Sequence, residues 1–150
     1  MRWFAQRGHA VTGIDRSAEA IAAVAGLGRA IEADIENGPW PIEGECFDAV
    51  VVTNYLWRPL LPRIVASVAP GGVLLYETFA VGNETVGKPS RADFLLREGE
   101  LLQASAELHI VAFEDGFSAH PDRFVQRVAA VRKGAAPTDQ PARFMLPAAE

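Results

Sequence analysis

Short β-branched runs alternate with helix-like stretches over the first part of this chain. Residues 9–14 and 29–33 are strand-like runs, and the stretch 17–27 between them places apolar side chains on one face at helical spacing. Ser17 opens that stretch, at a position where a hydroxyl accepts a hydrogen bond from the first turn of a helix. The pattern therefore predicts a strand–helix–strand unit over residues 9–33.

A second strand–helix–strand pattern follows and is more regular. Residues Phe47–Thr53 read FDAVVVT, and a strand that is apolar on both faces is typical of the interior of a parallel sheet. Residues 58–68 are predicted to form a helix with prolines in its first turn, and Ala69–Gly72 (APGG) interrupts it. Residues 73–79 then form the next buried strand, which is expected to run parallel to the first.

The pattern changes after residue 79. A long polar loop occupies residues 80–94, and a helix with two adjacent leucines is predicted for residues 97–106. The last two strands, 108–115 and 124–132, are joined by a turn, and strands joined in this way pair antiparallel.

These elements together predict an α/β fold with three layers, in which a mostly parallel sheet ends in an antiparallel hairpin. We expect one domain over residues 1–133. The Ala/Pro-rich residues 134–150 are predicted to form a flexible C-terminal tail.

Charge and composition narrow the range of partners. The net charge is −5, which argues against nucleic acid, because binding phosphates requires a cationic surface. No apolar run reaches the about 18–20 residues of a membrane span, and no signal peptide is evident, so we expect a cytoplasmic protein without a membrane partner. Cys46 is the only cysteine, and the three histidines lack a ligand spacing, so no metal site is predicted.

The candidate site residues follow the predicted parallel strands. Asp15, Asp34 and the pair Asn54–Tyr55 each come at the carboxyl end of a strand. Ligands of open α/β sheets bind at this edge, so these side chains are candidates for a binding site. Each acid also has a structural alternative: Asp15 can be a helix-entry residue beside Ser17, and a structural role competes with ligand binding at Asp34 as well.

Two further residues are candidates for substrate contact. Trp57 lies just after a strand end, where a role in the core or in a lid competes with contact to a ligand. Glu77 lies inside an apolar strand, and a buried carboxylate requires a partner. We expect it either to face the site or to meet an arginine, and no catalytic residue is assigned.

These motifs resemble class I S-adenosylmethionine-dependent methyltransferases. The resemblance covers roughly residues 1–132 and rests on VTGIDRS, EADIE, FDAVVVTNYL and LLPRIVASVAPGGVLLYETF. The later segment GNETVGKPSRADFLLREGELL looks more narrowly like bacterial methyltransferases of the tellurite-resistance type. The resemblance implies a Rossmann-like methyltransferase fold, S-adenosylmethionine as the cofactor and a small-molecule methyl acceptor as the partner.

The resemblance also implies roles for individual residues. Asp15 matches the acid that binds the cofactor ribose, and Arg16 would flank the ribose and adenine. Asp34 matches the residue near the adenine amino group, beside Ile35. Asn54 and Tyr55 match the segment under the methionine part and the methyl group, and an aromatic ring at Tyr55 favours a nearby sulfonium. The matched residues for cofactor binding are Asp15, Arg16, Asp34, Ile35, Asn54 and Tyr55.

The sequence departs from the family at its start. Only 14 residues precede Asp15, and none of them forms the acidic-Gly-x-Gly strand–loop of the family. The first strand of the family fold is therefore expected to be absent, and the sequence is expected to be a truncated form of a longer protein. The alternative is a short form that has lost cofactor binding. Direct pairing of the strand 47–53 with residues 9–14, or contact in a homodimer, would satisfy the strand edge left open.

Three functions follow from these observations. The leading one is methyl transfer from S-adenosylmethionine to an unidentified small molecule, with activity impaired if the glycine-rich loop is required. An NAD-dependent oxidoreductase also uses an acid after the second strand. A non-catalytic α/β module that acts through a partner is the third, and the missing glycine-rich loop is its main support.

Overall fold

The computed structural model describes residues 1–134 of the chain. These residues divide into two compact units, Met1–Gly44 and a second unit that begins at Glu45. A single domain over residues 1–133 stays a prediction. The tail predicted for residues 134–150 lies, after Gly134, outside the described residues.

The first unit is a small strand–helix–strand motif with a short helix before it. Its elements are α1 (Arg2–Ala5), β1 (Thr12–Asp15), α2 (Ala18–Ala22) and β2 (Arg29–Glu32). The two strands pair in parallel, with Thr12 opposite Arg29 and Asp15 opposite Glu32. The Ser17 hydroxyl accepts a hydrogen bond from Ala20 N at 3.2 Å, so the predicted helix cap is confirmed.

A glycine permits the close approach of the two strands. Gly28 has a φ of +151°, and a Cβ built there would lie 2.3 Å from the Val11 carbonyl oxygen. Any side chain would therefore clash with the backbone just before β2 begins. Glycine at this position therefore lets the chain pass close to Val11 before it enters β2.

The second unit is a four-stranded sheet with two short helices. Its elements are β3 (Phe47–Thr53), α3 (Leu61–Ala66), β4 (Val68–Phe79), α4 (Glu100–Ala104), β5 (His109–Ser118) and β6 (Arg123–Val131). The strand order is β3-β4-β6-β5. β3 and β4 are parallel, whereas β4–β6 and β5–β6 are antiparallel, so the predicted closing hairpin is confirmed. One of the three pairings in this four-stranded sheet is parallel and two are antiparallel, so the sheet is mixed rather than mostly parallel.

β3 does not occupy the interior position that its sequence predicts. Among the described residues it pairs with β4 alone, and it forms the edge of the four-stranded sheet. Val51 on β3 is 44% exposed and its neighbour Leu75 on β4 is 41% exposed. The prediction failed because an apolar composition shows that a strand is suited to burial on both faces, but not which strands flank it.

The expected pairing of residues 9–14 with β3 is also wrong. The part of this segment that forms a strand is β1, and it pairs with β2 in a separate two-stranded sheet. β1 and β2 are neighbours because α2, which connects them, brings the chain back to the end of the sheet where β1 begins, so that β2 runs beside β1 in the same direction.

β4 begins earlier than the sequence predicts. The APGG segment was expected to separate a helix from the strand 73–79, but the strand starts at Val68. Gly71 N donates to Arg132 O at 2.8 Å and Arg132 N donates to Gly72 O at 3.0 Å, so the glycines extend the sheet. A Cβ on Gly72 would lie 2.9 Å from Phe47 O on β3, so glycine allows the backbone of β3 to lie close to β4 at this point.

The predicted helices are shorter in the structure, and the loop after β4 is ordered. A 3-10 turn over Arg58–Leu60 leads into α3, and α4 begins three residues after the predicted start. We call residues 80–99, between β4 and α4, the post-β4 connector. Its two 3-10 turns are Asn83–Thr85 and Ala92–Phe94.

The core of the second unit lies on one face of its sheet. Side chains on β4 alternate, so that Leu74, Tyr76 and Thr78 are buried while Leu75 is exposed. α3 contacts β4, α4 contacts β6, and the two helices contact each other. Burial of an aliphatic side chain contributes about 1.5–3 kcal/mol. The buried apolar side chains that build this core include Leu60, Ile64, Val65, Leu96, Leu101, Val128 and Ala130.

Candidate functional site

Asp15 ends β1 with an exposed carboxylate. Its Oδ1 accepts a hydrogen bond from Ser17 N at 2.8 Å, which supports the turn into α2. No hydrogen bond from the described residues reaches its Oδ2. The capping role and the ribose-binding role are therefore compatible, since one carboxylate oxygen keeps its capacity to accept from a ligand hydroxyl.

Asp34 follows β2 and is engaged on both carboxylate oxygens. Oδ1 accepts from Glu36 N at 3.0 Å and Asn37 N at 3.2 Å, and Oδ2 accepts from Asn37 Nδ2 at 2.9 Å. The Asn37 side chain is the main cause that lowers the pKa of Asp34, and the positive charge of Arg16 lowers it further. Its carbonyl also accepts from Gly38 N. Asp34 thus holds the turn that carries the half-buried Ile35.

Asn54 turns the chain sharply at the carboxyl end of β3. Its φ is +54°, a left-handed conformation that asparagine tolerates better than most residues. Asn54 N donates to Glu77 O at 2.9 Å, and Tyr76 Oη donates to Tyr55 O at 2.9 Å. Burial is the main cause that raises the pKa of Tyr76, so this phenol stays a proton donor. The backbone of the Asn54–Trp57 turn is therefore anchored to β4.

The side chains of this turn divide between core and surface. Leu56 is buried, Asn54 is exposed, and Tyr55 and Trp57 are half-buried. Trp57 O accepts from Leu60 N at 2.9 Å, which starts the 3-10 turn before α3. The turn thus presents one polar and two aromatic side chains at the carboxyl edge of the sheet.

Glu77 meets arginines. Its Oε1 accepts from Arg123 Nη1 at 2.9 Å and its Oε2 accepts from Arg127 Nε. Arg127 Nη1 in turn donates to Glu114 Oε2 at 3.0 Å. The sheet register explains this ladder, because Arg127 is paired with Glu77 on one side and with Glu114 on the other. Of the two alternatives expected for Glu77, facing the site or meeting an arginine, the structure shows the second. The arginines balance the negative charge of its carboxylate.

Arg58, which lies just after the carboxyl end of β3, donates four hydrogen bonds. Its Nε and Nη2 bind the two carboxylate oxygens of Glu100 at 2.6 and 2.9 Å. Its Nη1 donates to Asp93 O and its Nη2 also donates to Leu95 O. The hydrogen bond to Arg58 lowers the pKa of Glu100, and the same pair raises the pKa of Arg58. Both groups therefore stay charged at neutral pH.

Two buried amide side chains bind the post-β4 connector to β6: Gln126 lies on β6 and Asn83 lies in the connector itself. Gln126 is fully buried, and its Nε2 donates to Arg97 O at 2.6 Å while its Oε1 accepts from Leu101 N at 3.0 Å. Asn83 is 1% exposed, and its Oδ1 accepts from Phe124 N at 3.2 Å. The connector is consequently a hydrogen-bonded part of the fold, which the sequence analysis treated as a polar loop.

Sequence reasoning missed Arg58, Asn83, Glu100 and Gln126. Two of them, Asn83 and Glu100, lie in the segment that resembles the tellurite-resistance type, so that segment was a signal for them. Arg58 directly follows the NYLW turn but was assigned only to a helix start. Gln126 lies within an apolar strand, where a polar residue requires a partner, and that was the available signal.

Among residues 1–134, no group of three or more His, Cys, Asp or Glu side chains is arranged to hold a metal ion. The same residues contain no helix long and apolar enough to span a membrane.

Comparison with protein families gives one match. The profile of the family described as "Methyltransferase domain" matches residues 1–76, which is just over half of the 150-residue chain. The match includes all six residues assigned to cofactor binding and ends just before Glu77. A search of curated proteins gave no match.

Several solved structures share the fold. TehB from Haemophilus influenzae has a TM-score of 0.67 and 18% identity, over 88% of this chain and 53% of its own. A SAM-dependent methyltransferase from Methanosarcina mazei has a TM-score of 0.62 and 17% identity, over 89% of this chain and 86% of its own. The N-methyltransferase NodS from Bradyrhizobium japonicum has a TM-score of 0.60 and 18% identity, over 83% and 74%.

The similarity has limits in length as well as in identity. This chain spans about half the length of TehB, 53% of that chain. NodS has also been solved in complex with S-adenosyl-l-homocysteine. At these identities the neighbours show the fold, which confirms the α/β, Rossmann-like methyltransferase class predicted from the sequence.

Proposed function

The chain belongs to the methyltransferase domain family, and we propose that it binds S-adenosylmethionine and transfers the methyl group to a small-molecule acceptor. One observation carries this proposal. Every predicted cofactor residue lies within the matched segment, and each group of them follows a parallel strand at its carboxyl end. The carboxyl ends of parallel strands are where open α/β sheets bind ligands.

The residues of the first unit fit the adenosine part of the cofactor. Asp15 keeps an unused carboxylate oxygen at an exposed strand end, which suits a ribose hydroxyl. Asp34 uses both oxygens in its own turn, so its contribution would come through the turn that it shapes and through Ile35. Arg16 adds positive charge beside Asp34.

The residues of the second unit fit the part of the site near the methyl group. The Asn54–Trp57 turn offers an exposed amide and two half-buried aromatic rings, and a ring face favours a sulfonium cation. S-adenosylmethionine would supply an electrophilic methyl group, with a thioether as the leaving group. The protein's task is then to orient the acceptor in line and to exclude water, and a general base is not required.

Glu77 is a weak candidate for a base in this scheme. Both of its carboxylate oxygens are already bound by arginines, Oε1 by Arg123 and Oε2 by Arg127. Contact of Glu77 and Trp57 with the substrate stays a prediction.

Calorimetric titration with S-adenosylhomocysteine, S-adenosylmethionine and NAD tests the proposal. We expect binding of the two S-adenosyl compounds and none of NAD. Asp15→Asn should weaken S-adenosylhomocysteine binding about tenfold or more, since a hydrogen bond to a charged group is lost while the amide oxygen still accepts from Ser17 N. Asp48→Asn is the matched control, because Asp48 is exposed at the opposite, amino end of β3.

The other outcomes select the competing functions. Binding of NAD with no S-adenosyl binding would favour an oxidoreductase. Absence of any binding by the folded chain would favour the non-catalytic module. An equal effect of the two substitutions would remove Asp15 from the site.

Finer assignments within this function stay predictions. We propose the tellurite-resistance-type subgroup from the segment at residues 82–102. Cytoplasmic localisation, absence of nucleic-acid and membrane partners, homodimer formation and derivation from a longer protein likewise stay predictions. The methyl acceptor is unidentified.

A further inference from the structure

Arg58 connects two segments of the second unit, the Asn54–Trp57 turn and the post-β4 connector with the start of α4. Its backbone directly follows the Asn54–Trp57 turn, which is assigned to the cofactor side of the site. Its guanidinium contacts three residues that lie 35 to 42 positions later in the chain: Asp93, Leu95 and Glu100. Two of these are in the post-β4 connector and the third begins α4. The side chain therefore bridges the end of β3 and the segment that follows β4.

We propose that Arg58 is a positioning residue, which fixes the post-β4 connector against the Asn54–Trp57 turn and so holds that turn in one arrangement. The functional consequence rests on the proposed function, because it takes the turn as part of the cofactor site. The link between the two segments does not depend on that function and can be tested separately.

The chemistry of the contact explains why arginine occupies this position. A planar guanidinium offers five donors in a fork, and here they reach both oxygens of one carboxylate and two backbone carbonyls. The ammonium of lysine is a single point charge and cannot span these acceptors at once. The Arg58 side chain is 32% exposed and that of Glu100 is 18% exposed, so water screens this pair less than a surface pair.

The connector has other supports that do not involve the turn. Glu100 Oε2 also accepts from Arg97 N, and Gln126 holds Arg97 from β6. Asn83 ties the first part of the connector to Phe124 N. A change at Arg58 is therefore expected to leave a folded protein in which the connection to Asn54–Trp57 is weakened selectively.

A second arginine provides a matched control. Arg132 is part-buried and donates from Nε to Val68 O and from Nη2 to Val65 O, both at 2.8 Å. It lies at the amino end of β4, where its backbone pairs with Gly71 and Gly72, and not at the carboxyl edge. Arg132→Lys thus removes hydrogen bonds to backbone carbonyls, as Arg58→Lys does, but far from the Asn54–Trp57 turn. If Arg58 only stabilised the fold, the two variants would show the same changes in hydrogen exchange and ligand binding.

The test uses the full chain and its variants Arg58→Lys, Arg58→Gln and Arg132→Lys. Amide hydrogen exchange is measured for peptides that cover residues 54–57 and 93–97. We expect Arg58→Lys and, more strongly, Arg58→Gln to increase exchange in both regions, with Arg132→Lys changing neither. Titration with S-adenosylhomocysteine should show about tenfold weaker binding by Arg58→Lys and unchanged binding by Arg132→Lys, since loss of a charge-assisted hydrogen bond has an effect of about this size.

The two measurements separate the possible failures. Faster exchange in residues 93–97 alone, with residues 54–57 unchanged, overturns the proposal whatever the ligand does. Equal losses of S-adenosylhomocysteine affinity in Arg58→Lys and Arg132→Lys would also overturn it, because a general loss of stability would then explain both. If the wild-type chain binds no S-adenosylhomocysteine, the proposed function fails, and the exchange pattern alone decides whether Arg58 links the segments.

Discussion

The two units hold their polar side chains in different ways. In the first unit, Asp15 and Asp34 are exposed, and their carboxylates accept hydrogen bonds from residues two or three positions later. In the second unit, Arg58 and Gln126 bind groups that are 11 to 42 residues distant in the chain. A local hydrogen bond shapes one turn, whereas a long-range one joins elements that otherwise meet only through apolar packing. Loss of the second kind should therefore affect both of the elements that the hydrogen bond joins.

The largest effect is expected for Gln126→Ala. The change leaves Leu101 N without its buried acceptor and removes one donor from Arg97 O, which still accepts from Glu100 N. The lost hydrogen bonds and the space left by the buried side chain should together lower the free energy of unfolding by about 2–4 kcal/mol. Urea unfolding followed by far-UV circular dichroism measures it. Gln103→Ala on the exposed side of α4 is the control and should stay within about 0.5 kcal/mol. Similar midpoints for the two variants would contradict the long-range role of Gln126.

Glu100→Gln is expected to have the next largest effect, and that effect should depend on pH. The folded-state pKa of Glu100 is lowered, mainly by its hydrogen bond to Arg58, so the pair stabilises the protein above the ordinary carboxyl range. The stabilisation is lost as the pH falls from about 5 through the lowered pKa. At pH 7 the substitution should lower the free energy of unfolding by about 1.5–3 kcal/mol, the usual contribution of a hydrogen bond to a charged group.

Unfolding curves of wild type and Glu100→Gln between pH 7 and pH 3 test this linkage. The difference between the two proteins should shrink as the pH falls, because the wild-type carboxylate becomes protonated. A difference that stays constant over this range would show that charge on Glu100 does not stabilise the fold.

A local effect is expected for Asp34→Ala in the first unit. The substitution removes the acceptors for Glu36 N, Asn37 N and the Asn37 amide, all within three residues of an exposed side chain. Hydrogen exchange should accelerate in residues 36–38, with a smaller change in the urea midpoint than Gln126→Ala produces. A midpoint shift as large as that of Gln126→Ala would mean that Asp34 supports more than its own turn.

The smallest effect is expected for Arg91→Ala. Arg91 and Asp93 form an ion pair at 2.8 Å, but their side chains are 73% and 68% exposed. Solvent-exposed pairs of this kind contribute about 0–1 kcal/mol, and salt screens them further. The free energy of unfolding should change by less than about 0.5 kcal/mol in 0.15 M salt. A larger change in the free energy of unfolding would show that the Arg91–Asp93 pair stabilises the fold despite its exposure.

Much of the secondary structure was predictable because its signals are local. The bounds of β3 agree with the prediction, the closing hairpin is antiparallel, and Ser17 caps α2. The position of β3 in the sheet was not predictable. Its sequence is suited to the interior, yet which strand lies beside it depends on segments far along the chain, and among the described residues β4 is its single strand neighbour.

The candidate site was predictable to a similar extent. The placement of Asp15, Asp34 and Asn54 at strand ends follows from the order of strands and turns, and the structure has them there. The partners of Glu77 were narrowed to the site or an arginine, and the choice required the register that sets Arg127 opposite Glu77. Arg58 and Glu100 gave no spacing signal, because 42 residues separate them.

Local sequence is sufficient for the features that depend on near neighbours: the turn at Asp34, the cap at Ser17, the family signature around β3 and the class of the fold. Tertiary structure decided which charges are neutralised, which strand forms an edge and which side chains hold the post-β4 connector. The physical reason is that a hydrogen bond acts over about 3 Å, and only sheet register and packing bring residues separated by tens of positions within that distance.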